Sequence, residues 1–320
     1  MKQLSSWMLA GALAVCTAAQ AQDYPNKPIR LIVPFGTGGA TDTSGRTVAD
    51  SLAQRLGERI IVENRGGAGG NIGADHVAKS PSDGYTLLLA LDSTMVVNPF
   101  TTKVPFDTIY DFAPITKLGN VALVLAAHAG LPAKNLKELL AYSKANPGKL
   151  SFSTGGTGST SHVAGELLKQ RTGLEMTHIP YKSGGLAVIH AVGGQVQLTY
   201  PAVAGANTHI RAGKLVGIGV STRNRVGSIP DVPTFIEQGL QDFEVSSWVA
   251  LMAPANTPKV VIQRLHKEAV AVLQEPKVRE RFSVLGIEPV GNTPEQFAAE
   301  IKADMARWKQ VVERAGIKAD

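Results

Sequence analysis

Cysteine is almost absent from this 320-residue chain, and the single one, Cys16, lies in the N-terminal segment. Once that segment is removed, the chain can form no disulfide and no cysteine-ligated metal site, and it has no thiol nucleophile. Aromatic residues make up only 6% of the sequence, and no run of five or six Lys or Arg occurs. Both facts argue against a nucleic-acid partner. After residue 21 no apolar stretch reaches the roughly 18 residues of a membrane span, which argues against insertion.

The first 21 residues have the pattern of a secretory signal. Lys2 is followed by an apolar run from Trp7 to Val15 and then by Ala19-Gln20-Ala21, which fits an A-x-A cleavage site. We expect cleavage before Gln22 and export of the rest of the chain. An uncleaved anchor is the alternative.

The charge balance favours an anionic partner. The formal net charge is +6 at pH 7, and loss of Lys2 with the signal leaves +5. A basic exported protein is suited to anionic lipid, nucleic acid or a small anion. The missing basic runs, together with export, argue against nucleic acid. The 299 residues after position 21 are enough for two domains and a sizeable core.

The most informative pattern is a glycine-rich turn between a strand and a helix that occurs twice. The first copy contains Phe35 in LIVPFGTGGATDTSGRTVADSLAQRLG, and the second contains Phe152 in LSFSTGGTGSTSHVAGELLKQRTG. In both, the helix ends at a glycine, a short apolar stretch follows, and a glycine pair closes the unit at 66–67 or 184–185. The corresponding positions are offset by 116 to 118 residues. Two copies in register predict two similar lobes, each with a helix N-terminus whose free N–H groups can bind an anion.

Strand and helix patterns alternate along the chain, so the sequence predicts an α/β fold with mostly parallel sheets. Two apolar segments are long enough to carry the chain from one lobe to the other and back. They predict a discontinuous first domain (22–121 and 246–320), a second domain over 122–245, and a two-strand hinge. Two amphipathic helices, opened by Thr257-Pro258 and Thr293-Pro294, are predicted to end the chain.

The two turns are candidate ligand-binding segments. Their glycines let a ligand approach the backbone, and their hydroxyls add donors for a carboxylate held between the lobes. A charge-assisted hydrogen bond contributes roughly 1.5–3 kcal/mol, so about four to six of them suffice for micromolar binding after ordering costs. The alternative is a purely structural turn in which Ser and Thr cap each helix. The candidates are Phe35, Thr37, Gly38, Gly39, Ala40, Thr41 and Asp42 in the first turn, and Thr154, Gly155, Thr157, Gly158, Ser159 and Thr160 in the second.

Three further positions are candidates near the ends of strands. Ser93 and Thr94 follow the third predicted strand at its carboxyl end, where open α/β sheets bind ligands. Tyr200 ends another predicted strand and is expected to close over the ligand. Asp42 has two interpretations that the sequence leaves open. It is either a helix-start acid, stabilised by about 0.3–1 kcal/mol, or an acceptor for an amino, hydroxyl or protonated group of the ligand.

Three other patterns carry little functional weight. The stretch AGGNIGA (68–74) has no G-K-[ST] and no acidic residue for a ribose, so we expect a tight loop and no cofactor. Ser159 and His162 lack the G-x-S-x-G elbow and an orienting acid, which argues against the alternative of a serine hydrolase. The other six histidines are scattered, and we expect no metal site.

Several longer motifs are together specific to one family. They are Tyr24-Pro-x-Lys-Pro-Ile-Arg-Leu-Ile-Val-Pro-Phe, G-G-A-T-D-x-x-x-R, V-E-N-R-x-G-A-G-G-N-I-G, H-I-P-Y-K-S-G-G, H-I-R-A-G-K-L, I-P-D-V-P-T-F and W-V-A-L-M-A-P-A-N-T-P. With these motifs the chain resembles the Bug-type receptors of tripartite tricarboxylate transport systems, over essentially all of its length after the signal.

The resemblance implies a periplasmic solute-binding protein, not an enzyme, with two lobes of type II topology that close like a clam. It implies a ligand carboxylate held between residues 35–42 and 154–160, often through ordered water. The implied partners are the small carboxylate and membrane permease subunits, with no nucleic acid, and we expect a monomer. A sensor subunit that signals to a two-component kinase is the alternative role.

Two departures from the family bear on the ligand. Thr37 stands where the family commonly has Pro or Ala, which adds a hydroxyl beside the cleft. Thr199-Tyr200 stands where an F-D pair is frequent, which removes a partner for an amino group. We therefore expect a ligand without a cation, such as a dicarboxylate or an aromatic carboxylate.

Overall fold

The computed structural model describes residues 24–318. The secretory signal predicted over residues 1–21 lies outside this part of the chain. Within it, no helix is both long enough and apolar enough to cross a membrane.

Strands and helices alternate over most of the described chain, as predicted. The strands are β1 (Ile29–Val33), β2 (Ile60–Asn64), β3 (Thr86–Leu91), β4 (Phe112–Ala122), β5 (Val124–His128), β6 (Ser151–Thr154), β7 (Thr177–Pro180), β8 (Leu198–Thr199), β9 (Leu215–Val220), β10 (Ser246–Pro254) and β11 (Ile287–Pro289). The helices are α1 (Ala40–Leu56), α2 (Asn71–Ala78), α3 (Asn98–Thr101), α4 (Leu136–Ala145), α5 (Thr160–Thr172), α6 (Gly184–Val192), α7 (Val203–Arg211), α8 (Lys259–Val272), α9 (Pro276–Val284) and α10 (Pro294–Ala315). A short 3-10 turn precedes α2 at Ala68–Gly70, and a wide helical turn precedes α3 at Ser93–Val97.

The two sheets repeat one plan. The first has the strand order β11-β4-β10-β3-β1-β2, and the second has the order β7-β6-β8-β5-β9. Three strands are parallel in each, with β1 or β6 in the middle, and an antiparallel strand (β10 or β5) lies beside the third. This is the type II order. The prediction of two similar α/β lobes from the duplicated turn is therefore confirmed.

Local sequence explains where the main helices begin and end. In α1, Val48, Leu52 and Leu56 recur on one face and are buried, and Gly57 ends the helix in the left-handed conformation at φ 77°. At the start of α10, the Thr293 side chain accepts from the Gln296 backbone while the Gln296 side chain accepts from the Thr293 backbone. The glycine end of α1 and the start of α10 at Thr293-Pro294 were both predicted from the sequence.

Two parts of the fold differ from the prediction. Helix α9 was not expected, because only Val278 and Phe282 of its nine residues are buried and the rest are mostly polar. The strand predicted over GQVQLTYPAV shortens to Leu198–Thr199, since Pro201 follows closely and has no N–H for a sheet ladder.

The chain crosses between the sheets at two adjacent points. Only Leu123 separates β4 from β5, and Val245 leads directly into β10. Ser221 ties these crossings together, because its N–H donates to the Leu123 carbonyl (3.0 Å) and its carbonyl accepts from the Val245 N–H (2.8 Å). The predicted two-strand hinge is therefore present.

Candidate ligand-binding site

Both glycine turns lie beside a single cavity of about 240 Å³ between the lobes. Each turn follows the middle strand of its parallel trio and leads into a helix, α1 in the first lobe and α5 in the second. Because the two lobes share one plan, the N-termini of both helices reach this cavity. Six of the predicted site residues line it: Phe35, Ala40, Thr41, Ser93, Ser159 and Thr160.

The first turns of α1 and α5 present backbone donors without internal partners. In α1 the first helical bond runs from the Thr43 N–H to the Gly39 carbonyl (2.9 Å), so the N–H groups of residues 40–42 precede the ladder. In α5 the Val163 N–H donates to the Ser159 carbonyl (3.0 Å). Within residues 24–318, no acceptor is recorded for the N–H groups of residues 40–42, 160 and 161. These five donors and the positive ends of two helices favour an anion.

Asp42 stabilises the first turn from within and does not line the cavity. Its carboxylate accepts from the Gly38 N–H (2.9 Å), the Asn64 amide (2.8 Å) and Arg46 Nε (3.1 Å). Burial alone would raise the pKa of Asp42, but the hydrogen bonds from Arg46, Gly38 and Asn64 outweigh it, so the pKa is lowered. Both carboxylate oxygens are thus occupied by protein donors, which favours the interpretation of Asp42 as a structural acid.

Two stacked histidines lie under the second turn. The rings of His162 and His178 are 3.6 Å apart at 12°. His162 Nδ1 accepts from the Gly158 N–H (3.2 Å), and His178 Nε2 lies 2.7 Å from the Thr154 hydroxyl. Burial is the main cause that lowers the pKa of His162 to about 4 and that of His178 to about 3. Both rings are therefore neutral near pH 7, and His162 accepts the hydrogen bond that fixes the turn.

Ser159 caps α5 and is not paired with a base. Its hydroxyl oxygen accepts from the His162 backbone N–H (3.3 Å), and the hydroxyl donates to the Gly156 carbonyl (2.8 Å). His162 Nδ1 meanwhile accepts from Gly158. The imidazole is therefore not hydrogen-bonded to the hydroxyl it would have to activate in a serine hydrolase.

Asp92, which was not among the predicted site residues, lies buried next to the cavity. Its carboxylate accepts from the Thr160 hydroxyl of α5 (2.7 Å), from the Ser247 hydroxyl of β10 and from the Ser93 N–H. Burial raises the pKa of Asp92 to about 6, against the opposing effect of these hydrogen bonds. One acid thus connects the end of β3, the second lobe and a crossing strand. The sequence feature that could have identified Asp92 is a single carboxylate directly after a buried strand.

Several predicted residues lie near the cavity without lining it. Thr37, Gly38 and Gly39 are exposed on the first turn. Thr94 is fully buried, and its hydroxyl donates to the Gly69 carbonyl (2.8 Å). This Gly69 loop has no nucleotide motif and supports the first turn.

Four residues of the second turn also lie outside the cavity lining. Thr154 is buried with its hydroxyl on His178, and Gly155 packs against the start of α6. Thr157 lines a neighbouring cavity of about 610 Å³, and Gly158 is buried against Thr101 of the first lobe. These residues shape the turn and its contact with the other lobe.

Tyr200 was expected to close over the ligand, but the structure places its side chain in the core at the hinge. The side chain is fully buried, and its hydroxyl is hydrogen-bonded to Ser221, the residue that ties the two crossings together. Burial raises the pKa of the Tyr200 hydroxyl. In this arrangement Tyr200 supports the hinge and does not close over a ligand.

The remaining cavity wall was not predicted, and it is mostly apolar. It is formed by Leu91, Val121, Leu123, Ala202, Val249, Leu285 and Ile287, with Ser44, Ser161 and Ser247. Most of these residues lie on or beside the crossing strands, which the sequence indicated as connections and not as ligand contacts. No Lys, Arg, His, Asp or Glu lines this cavity in the described chain.

Comparison with known proteins gives consistent matches. The model of the family described as "Tripartite tricarboxylate transporter family receptor" matches residues 45–317. Protein BugT of Bordetella pertussis is 37% identical over 306 residues, which cover 95% of this chain and 94% of BugT. The structure of the periplasmic binding protein BugD is 36% identical with a TM-score of 0.79, over 93% of this chain and 100% of BugD.

A further solved structure was determined with a ligand. It is Rpa4515 of R. palustris with adipate, which is 31% identical with a TM-score of 0.83, over 92% of this chain and 99% of Rpa4515. The matching family is described as a receptor family and BugD as a periplasmic binding protein, which confirms the expectation that the chain is not an enzyme.

Proposed function

The chain belongs to the tripartite tricarboxylate transporter receptor family, and we propose that it captures a small carboxylate between its lobes and delivers it to a membrane permease of that type. The candidate ligands are dicarboxylates and aromatic carboxylates. One observation carries the proposal: four unpaired backbone N–H groups at two helix N-termini belong to residues that line one cavity, namely Ala40, Thr41, Thr160 and Ser161. Fixed backbone donors of this kind suit a carboxylate without a titrating partner.

We propose that the ligand contacts Phe35, Ala40, Thr41, Ser93, Ser159 and Thr160, directly or through water. The other predicted turn residues would act by holding the backbone in place. The mechanism is a population shift, in which the open lobes bind the anion through one helix and closure adds the other. The lobes would move as bodies bounded near residues 121/122 and 245/246, on either side of the crossing strands.

We also propose export to the periplasm through cleavage of the 1–21 signal, and action as a monomer. Rpa4515 was solved with adipate, which makes dicarboxylates a natural part of the test panel. The alternative role, a sensor subunit for a two-component kinase, uses the same ligand. Deletion of the gene separates the two roles. Loss of uptake of the bound carboxylate supports delivery to a permease, whereas unchanged uptake with lost induction of target genes supports the sensor.

The binding step is tested at Ala40, the first residue of α1. Gly39 is extended (φ −75°, ψ 169°), which suits a following proline, and Pro is tolerated at the first helical position. Ala40→Pro therefore removes one donor at the cavity while leaving the helix intact. Ala40→Ser is the matched control because it keeps the N–H.

A panel of mono-, di- and aromatic carboxylates is screened by thermal shift, and hits are measured by calorimetry. A charge-assisted hydrogen bond is worth about 1.5–3 kcal/mol, so Ala40→Pro is expected to weaken binding by roughly tenfold to a hundredfold. Ala40→Ser should bind like the wild type. If no carboxylate stabilises the protein, or if Ala40→Pro binds with full affinity, the proposed site is wrong.

A further inference from the structure

We infer that the cavity selects a monocarboxylate with an apolar body, ring-sized or branched, over a dicarboxylate or tricarboxylate. The inference rests on the proposed function and narrows its ligand class. It follows from the lining of the cavity, where a donor end formed by two helix N-termini adjoins apolar side chains, and where no cationic side chain of the described chain is present.

The donor end lies at the first turns of α1 and α5. The hydroxyls of Thr41 and Ser161 line the cavity there and donate no recorded hydrogen bond within the described chain. Together with the unpaired N–H groups they can surround one carboxylate, which accepts about four hydrogen bonds. One carboxylate can therefore be satisfied entirely within this group of donors.

The apolar wall of the cavity gives a second carboxylate no partner. Val121, Leu123, Val249, Leu285 and Ile287 form it, and no cationic side chain of the described chain lines the cavity. Burial of a charged group without a counter-ion or hydrogen bonds is strongly unfavourable, whereas an apolar ligand body gains from contact with such a wall. The wall therefore favours hydrocarbon at the end of the ligand that is remote from its carboxylate.

The buried acid adds a second obstacle to another anion. The hydroxyls of Thr160 and Ser247 donate to Asp92, so their hydrogens point away from a ligand. Ser44 donates to the Thr41 carbonyl and Ser159 to the Gly156 carbonyl. Four of the seven hydroxyls that line the cavity are thus already used as donors inside the protein. These four hydroxyls therefore add no donor for a second carboxylate.

The size of the cavity fits a compact organic acid. A cavity of about 150 Å³ accommodates benzene in another protein, so about 240 Å³ leaves room for a ring, its carboxylate and a small substituent. A branched aliphatic acid of similar size fits the same space. The carboxylate would sit between the helix ends, and the ring or branch would contact the crossing strands.

The test compares acids that differ only by a second carboxylate. Calorimetry is run with hexanoate against adipate and with benzoate against terephthalate. We expect each monocarboxylate to bind roughly tenfold or more tightly than its partner, because the second charge is buried without compensation. Equal or tighter binding of adipate or terephthalate overturns this inference and leaves the proposed function intact. Absence of binding by all four acids overturns this inference, whereas the proposed function fails only if no acid of the wider panel binds.

A substitution in the apolar wall tests whether the lack of a cation there is what disfavours a second carboxylate. Leu285 lines the cavity and is only partly buried, so Leu285→Lys can place an ammonium at the apolar end. This variant is expected to gain at least roughly tenfold in adipate affinity while losing hexanoate affinity. The control is Val284→Lys, whose side chain is 58% exposed and outside the cavity, and it should bind both acids like the wild type. Unchanged adipate binding by Leu285→Lys contradicts the inference.

Discussion

Acid should weaken this protein through the histidine stack under the second glycine turn. Burial, and to a lesser extent the charge of Lys169, lower the pKa of His162 from its ordinary 6.5 to about 4. The unfolded chain therefore binds more protons than the folded one between these values. The stability that the neutral imidazole contributes is complete above pH 6.5 and is lost as the pH falls toward 4.

The expected size follows from the pKa difference. A shift of about 2.5 pH units corresponds to about 3 kcal/mol, of which about 2 kcal/mol should be lost between pH 7 and pH 5. His162→Asn isolates this contribution, because the Asn amide oxygen can still accept from the Gly158 N–H but does not titrate. The variant should be less stable by a constant amount, with a flatter dependence on pH.

The assay is urea unfolding followed by circular dichroism at half-unit steps from pH 7.5 to 4.5. His209→Asn, which removes a half-exposed histidine from α7, is the control and should keep the wild-type slope. If His162→Asn loses as much stability as the wild type between pH 7 and pH 5, the neutral buried stack is not the source of the acid sensitivity.

Three further predictions concern single positions and are read by thermal or urea unfolding. Burial raises the pKa of Asp92 to about 6, so its charge should cost about 2 kcal/mol as the pH rises from 4 to above 6, which opposes the effect of His162. Asp92→Asn should therefore lose stability more steeply on acidification than the wild type, and an unaltered curve would contradict this. Gly155→Ala should lower the free energy of unfolding by about 1–3 kcal/mol, because the new Cβ would lie 2.9 Å from the Gly184 nitrogen. Gly184→Ala is the control: its Cβ meets open space, so the free energy of unfolding should rise by about 0.5–1 kcal/mol. Equal effects of the two substitutions would refute the close approach. Thr293→Ala should lower the free energy of unfolding by about 1 kcal/mol because it removes the capping box, whereas Thr293→Ser keeps the hydroxyl and should change it little. Similar losses in both variants would show that the cap does not contribute.

Most of the fold was predictable because its signals are local. The apolar runs of β1, β2 and β3 are bounded by glycine or polar turns, and the repeated turn disclosed the second lobe. Helix α9 was not predicted because its apolar residues are too few to show a helical period. Strand β11 was not predicted for a similar reason, since three residues show almost no alternation.

The candidate site could be predicted from the sequence only where the backbone forms it. Glycine turns followed by helices locate the N–H donors, whatever the surrounding side chains are. The apolar wall comes from Val121, Leu123 and Val249 on the crossing strands, and which face of a strand meets the cavity depends on pairing with distant segments. The same reason explains Tyr200, whose ring points into the core at the hinge. The role of Asp92 depends on two hydroxyls that lie 68 and 155 residues away.

The two turns are built alike but are held in place by different chemistry. The first is held by Asp42, whose pKa is lowered because hydrogen bonds from Arg46, Gly38 and Asn64 outweigh the effect of burial. The second is held by His162, which accepts the hydrogen bond from Gly158 only while its ring is uncharged. The two turns thus depend on opposite charge states, a charged carboxylate in one and an uncharged ring in the other, and both states coexist near neutral pH.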